Sequence, residues 1–396
     1  MAERPAPLVL VVDPGEAEAP FGSYRAVVET AGHLLSADLS RRLGREGAAV
    51  LPLRPEHGAS GEAFHWGRWF GAAARAALEA AQRDGRRVDA IGYAGAGSLA
   101  LLADTDLDLL LSPLGGEVVA NNRFSADAFV LRGADAGGHA APDGTTRHGP
   151  SLARGIERLE SCPADNTAVR CLETVGFRSR DLSDRPWSRF DVDTPLDLAL
   201  LRLATRLPGM RGLDPSQAGF LEMVRLPGGA ELVVPGLERI GAVLRDPDGE
   251  LVVAGRIPAA VLRELETESA CRVRAFVEER GMRSARDGRP RSFLARWVDE
   301  RGAASLVREL ATLGDAVILD VRVLMAALAG SSEERAWPPA EERFAADFGD
   351  AARIETPWLR ELVEAVHDAP VPILLGGHAL VSDGLRLLLA AAWLGR

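Results

Sequence analysis

The sequence predicts an α/β protein with mostly parallel sheets, arranged as two domains. Three observations carry this. Short apolar runs alternate with longer amphipathic stretches along the whole chain. At 396 residues, the chain is long for a single core. A proline- and glycine-rich break, "TRLPGMRGLDPSQ" at 205–217, follows a finished helical pattern. The expected division is therefore 1–207 and 208–396.

The elements follow in order. "PLVLVVD" (7–13) is a continuous apolar run too short for a helix, hence a buried strand. Residues 23–44 have helical spacing and stop at Gly44. "AAVLPL" (48–53) is a strand, and the alanine-rich stretch 61–85 is a helix ended by Gly85. "VDAIGYAG" (88–95) is a strand that runs into glycines, with helical character expected from Ser98 to Ser112. Residues 117–122 and 127–133 read as strands, 133–151 as a long loop, 165–176 as a capped helix and 177–182 as extended. In the second half, 230–236, 249–256, 271–281, 315–323 and 371–380 are strand candidates. Helices are expected at 291–314 and 356–369, with a loop at 329–342. The pair Trp66 and Trp69, one helical turn apart, suits a core or a domain contact better than a cofactor platform.

Composition excludes several functions. No run of 18 apolar residues occurs, so no membrane span is expected. The first residues lack the pattern of a signal peptide, which suggests a cytoplasmic protein. A net charge of −11 argues against sequence-independent nucleic-acid binding. Cys162, Cys171 and Cys271 form no CxxC pair and read as small buried hydrophobes. The histidines show no HExxH spacing. The chain has no lysine, so all 46 basic residues are arginines. A Schiff base, a Walker lysine and a lysine general base are therefore excluded. An anionic ligand must be met by arginine, backbone N–H groups, helix N-termini or a metal.

The most informative stretch is "RFDVDTPLDLALL", 189–201, with Asp191, Asp193 and Asp197 close around one proline. Thr194 and Pro195 signal a helix start, and Asp197 then lies in the first turn, where a carboxylate favours the positive end of the dipole. Capping does not account for both Asp191 and Asp193. On an extended segment they share a face, and two like charges there call for solvent or a cation. Mg²⁺ is typically held by one or two carboxylates plus phosphate oxygens. Cap and metal readings both remain open. Between strand and helix, "GYAGAGS" (92–98) permits close backbone approach, so Gly95, Gly97 and Ser98 are candidate anion-binding residues, against the simpler reading of a tight turn. The third glycine of a dinucleotide fingerprint is missing. Asn121 and Asn122 follow a strand and suit either ligand binding or a turn, whereas Asp165 and Asn166 suit a helix cap. In the second half, His378 lies just past a strand in "LLGGHAL" and Asp320 ends "AVILD", with Arg322 two residues on. Arg272, Arg274, Glu278, Arg280 and Arg283 surround another strand end. These groups suit a polar pocket with His378 as general base, or a packed loop with surface ion pairs.

The motif "FDVDTPLDLALL" resembles the closing motif of the small nucleotidyltransferases, the group that includes molybdenum-cofactor and phospholactate guanylyltransferases. The stretches 33–53, 89–111, 118–131 and 165–182 fall in a compatible order, so the resemblance covers about residues 7–207 and leaves the second half unassigned. It implies a Rossmann-like sheet that binds a nucleotide or phosphorylated small molecule around Gly95–Ser98. It also implies Mg²⁺ on Asp193, helped by Asp191. The departures are specific. The opening loop "DPGEAEAPFGSYR" lacks the usual glycine-rich basic character and offers only Arg25. Ser98 stands where the family's central metal loop carries an aspartate. Phosphoryl-type transfer depends on charge neutralisation, so these losses should remove most of the rate. The alternatives are a ligand-binding or interaction protein on a degenerate catalytic scaffold, and a separate activity at His378.

Overall fold

The computed structural model describes residues 5–55, 64–134, 139–140, 146–147, 149–210, 212–278 and 289–394. Arg280, Arg283 and most of the 133–151 stretch lie outside the described residues. By packing, the chain divides into two units, Met1–Ala17 with Glu29–Val192 and Glu18–Val28 with Asp193–Arg396. The change of unit thus precedes the 205–217 break, and the helix opened by Thr194 packs with the second unit.

The first unit is a six-stranded mixed sheet. Its strands are β1 (Leu8–Val12), β2 (Ala49–Leu53), β3 (Ala90–Ala94), β4 (Glu117–Ala120), β5 (Ala128–Arg132) and β8 (Arg178–Asp181), in the order β2-β1-β3-β5-β4-β8. Only β5 runs antiparallel to its neighbours. A minor two-stranded pair, β6 (His139–Ala140) and β7 (Thr146–Arg147), stands apart. The helices are α1 (Tyr24–Arg45, its first turn in the second unit), α2 (Trp66–Arg83), α3 (Asp104–Leu111), α4 (Leu152–Glu160) and α5 (Ala168–Glu173).

Strand β1 is apolar at every position because both its faces are covered. Leu8, Leu10 and Val12 join Phe70, Tyr93 and Phe129 in one core, while Val9 and Val11 join Leu39, Leu43 and Leu107 in the other. Trp66 stacks on Phe70 at 5.1 Å and meets Tyr93 edge-on at 5.2 Å, so it is a core residue.

The second unit is a four-stranded, fully parallel sheet. Its strands are β9 (Glu250–Gly255), β10 (Arg272–Val277), β11 (Ala316–Asp320) and β12 (Ile373–Gly376), in the order β10-β9-β11-β12. Its helices are α6 (Pro195–Ala204), α7 (Pro215–Met223), α8 (Leu237–Arg245), α9 (Ala259–Glu268), α10 (Phe293–Arg301), α11 (Ala303–Thr312), α12 (Val321–Leu328), α13 (Ala340–Asp347), α14 (Pro357–His367) and α15 (Leu385–Ala392). No helix among the described residues is long and apolar enough to cross a membrane.

Several expectations are corrected. The helix expected at 98–112 begins only at Asp104. Gly97 (φ 80°) and Leu99 (φ 59°) are left-handed and break the helical path. The buried Arg42 takes the carbonyls of Leu99 and Leu102, and its Nε donates to Asp104 at 2.8 Å. Residues 230–236 form no strand. Only an isolated bridge joins Arg225 and Glu231, and Pro235 has no N–H to give a ladder. In 315–323 the strand stops at Asp320 and "VRV" opens α12, because helical packing overrides β-branched propensity there. Within 291–314, Gly302 (φ 85°) separates α10 from α11. Within 329–342, Pro339 caps α13. Cys162 and Cys171 are joined as a disulfide, with Cα atoms 6.9 Å apart, and only Cys271 is free.

Candidate functional site

In open α/β sheets, ligands collect beyond the carboxyl ends of strands whose connections diverge. In the first unit that point lies between β1 and β3. Strand β1 ends directly at Asp13, whose Oδ1 lies 2.7 Å from His33 Nδ1 and accepts from the Gly15 N–H at 2.9 Å. Gly15 is left-handed at φ 78°, and an added Cβ would lie 3.0 Å from the Arg54 guanidinium. Burial pushes the Asp13 carboxyl up. The His33 and Gly15 hydrogen bonds and the charges of His33 and Arg54 outweigh that and hold it below the usual carboxylate value. An acid, an imidazole and a guanidinium therefore meet at the end of β1.

Strand β3 leads into the loop 95–102, with residues the sequence singled out. Gly95 N–H donates to Asp127 O at 2.8 Å. A Cβ on Gly97 would lie 2.6 Å from Val192 O and 3.3 Å from Asp191 Oδ1, so Asp191 borders this loop. The Ser98 hydroxyl is buried and donates to Gly95 O at 2.8 Å, so it turns back on its own loop. With α3 starting later, the helix N-terminus expected at Ser98 is not formed there. Asn121 is buried and fully engaged. Its Nδ2 donates to Asp127 Oδ2 and Ser188 O, both at 3.1 Å, and its Oδ1 accepts from the N–H groups of Asp127 and Ala128, both at 3.0 Å. Asn122 accepts from Phe124 N–H at 3.2 Å, a local turn. Asp165 accepts from the Tyr93 hydroxyl at 3.2 Å, and burial followed by the Asp165 charge raises that phenol well above its ordinary value.

The stretch 191–197 divides between roles. Asp197 completes a capping box on α6. Its Oδ2 accepts from Asp193 N–H at 3.0 Å, Thr194 N–H at 2.8 Å and Thr194 Oγ1 at 2.9 Å. Burial, then the Asp193 and Asp347 charges, pushes its carboxyl up to about 7 against these hydrogen bonds. Asp191 Oδ1 accepts from Val192 N–H at 2.9 Å. Asp193 is exposed and belongs to the second unit. Arg25 is exposed and its N–H donates to Glu341 Oε2 at 3.2 Å, also in the second unit.

The second unit concentrates charge at its own divergence point, between β9 and β11. Arg256, next after β9, forks onto Asp320 at the end of β11, with Nε to Oδ2 at 2.6 Å and the second nitrogen to Oδ1 at 3.0 Å. Gly255 is glycine by necessity: its φ is 135° and a Cβ would overlap Asp320. Asp320 is wholly buried. Burial raises its carboxyl, but Arg256 and then His378 bring the net position below the usual value. Arg322 forks onto Asp347 at 2.8 and 2.5 Å. Burial wins at Asp347, whose carboxyl is pushed up despite Arg322. His378 is exposed, and its carbonyl accepts from Ser382 Oγ at 2.7 Å. Glu278 caps toward α10, accepting from Ser292 Oγ at 2.9 Å and Leu294 N–H at 3.1 Å, while Arg274 pairs with Glu250 at 2.7 Å. Those two serve local architecture.

Among the described residues, no group of three or more His, Cys, Asp or Glu side chains is placed to hold a metal ion. Sequence reasoning did not single out Asp13, His33, Arg54, Arg256 or Asp347. The first had a usable signal, an acid directly ending the first strand. Arg54 and Arg256 had the same signal, each directly following a strand, whereas no local pattern marks His33 or Asp347. No protein-family model matches the chain, and no curated protein matches it.

Proposed function

We propose that the first unit is a nucleotidyltransferase-like domain that binds a nucleotide or another phosphorylated small molecule beyond the carboxyl ends of β1 and β3. Its role is binding, with at most slow transfer. The observation that carries this reading is the group Asp13, His33 and Arg54 at the end of β1, beside the left-handed Gly15. In a chain without lysine, Arg54 supplies a cationic donor to phosphate and His33 a ring nitrogen. Asp191, next to the Gly97 loop, is the acid of the 191/193 pair that this unit itself offers to Mg²⁺. The inward-turned Ser98 hydroxyl supports weak catalysis, since a neutral oxygen already bonded to Gly95 is a poor metal ligand.

A second reading, a metal-independent binding protein on the same scaffold, is favoured by the same Ser98 geometry. Titration with nucleoside triphosphates and with inorganic pyrophosphate, with and without Mg²⁺, separates the two. Mg²⁺-dependent binding lost in Asp191→Ala supports the metal reading. Metal-independent binding lost in His33→Ala and Arg54→Ala supports the second. Absence of binding under both conditions overturns both.

A further inference from the structure

The second unit contains a cavity of about 590 Å³, within the size range of small-molecule sites. Its walls are Trp337 and Trp358, with Met325 and Leu328 from α12, and its polar lining includes Asp299 and Thr356. Asp299, on α10, is the one charged residue of the lining. It has no ion-pair partner among the described residues, although its helix neighbours Arg296 and Glu300 pair with each other at 3.0 Å. Thr356 is the N-cap of α14, but its hydroxyl makes no capping hydrogen bond.

One wall is held in advance. Trp337 Nε1 donates to Ser331 O at 2.8 Å, and the Arg343 guanidinium sits 5.6 Å from the ring centroid. Arg343 is itself fixed by Glu334 at 2.8 Å. An indole fixed before binding loses little freedom when a ligand arrives.

We propose that this cavity binds a small organic cation of the quaternary or alkylated ammonium class. Indole faces attract a weakly hydrated cation, and the aliphatic walls accept its alkyl groups. Asp299 supplies the counter-charge and Thr356 a hydroxyl for a polar tail. A neutral guest would gain nothing from the Asp299 carboxylate, which is exposed to solvent. An anion would be repelled by it.

The test uses the full chain and two probes of matched shape, choline and its uncharged isostere 3,3-dimethylbutan-1-ol, followed by indole fluorescence and calorimetry. Choline should bind saturably, and the isostere roughly tenfold more weakly. Asp299→Asn, a change at an exposed position, should weaken choline about fivefold or more while leaving the isostere unchanged. Trp358→Leu should weaken both. Equal affinity for the two probes overturns the proposal, as does choline binding that neither substitution alters. Lack of saturation in the tens of millimolar overturns it as well.

Discussion

Asp197 offers the sharpest test of how the 191–197 stretch is built. Its carboxyl is buried, stands near Asp193 and Asp347, and titrates at about 7 against an ordinary value of 3.8. Below about pH 4 the group is protonated in both folded and unfolded chains, and its contribution to stability is complete. As pH rises from there, the unfolded chain releases the proton first while the folded chain keeps it. The folded state therefore loses about 1.4 kcal/mol per pH unit from this group, up to a total of about 4 kcal/mol near pH 7, and nothing further above. In Asp197→Asn the amide oxygen can still accept from Thr194 and Asp193, so the capping box survives without the titration. Urea unfolding of both proteins at intervals from pH 4.5 to 8.5, followed by tryptophan fluorescence, isolates the single group as a difference. The variant should gain on the parent steadily with rising pH and level off above neutrality. A difference that stays constant, or runs the other way, refutes the argument. Removing the second cause with Asp193→Asn should move the levelling point to lower pH.

Three other outcomes follow from the geometry. Arg322→Met leaves the Asp347 carboxylate buried and unpaired, so it should cost about 3–5 kcal/mol in denaturant unfolding, much of it recovered by adding Asp347→Leu. Gly255→Ala should destabilise by at least about 2 kcal/mol, because the new methyl meets Asp320 and the backbone is left-handed. His33→Ala should raise the Asp13 titration point, read from carboxyl carbon NMR. As Asp13 is depressed in the folded chain, its contribution is present above its ordinary value of 3.8 and fades as pH falls, so the variant should lose less stability on acidification than the parent.

Alternating patterns made the α/β class and most of the elements legible. The apolar runs of β1, β3, β9, β11 and β12 are strands buried on both faces, which sequence periodicity reports directly. The failures share a cause. The helix expected from Ser98 is displaced by Arg42, a residue more than fifty positions earlier that claims the loop's carbonyls. The break between β11 and α12 depends on where Asp320 finds Arg256. The capping role of Thr194, Pro195 and Asp197 was readable because all its partners lie within four residues. Asp13 with His33, and Arg322 with Asp347, are tertiary pairings, and no local signal announces them.

The interleaving of the two units along the chain has a consequence for biogenesis. Tyr24 donates its N–H to Glu341, 317 residues later, and its hydroxyl reaches Asp350. During synthesis, residues 18–28 leave the ribosome long before their partners near residues 341–350 exist, so this segment waits for the end of the chain to be made. Cutting the gene at residue 192 would strand that early segment in one fragment and its acceptors in the other. The halves should therefore recover native spectra only when produced together.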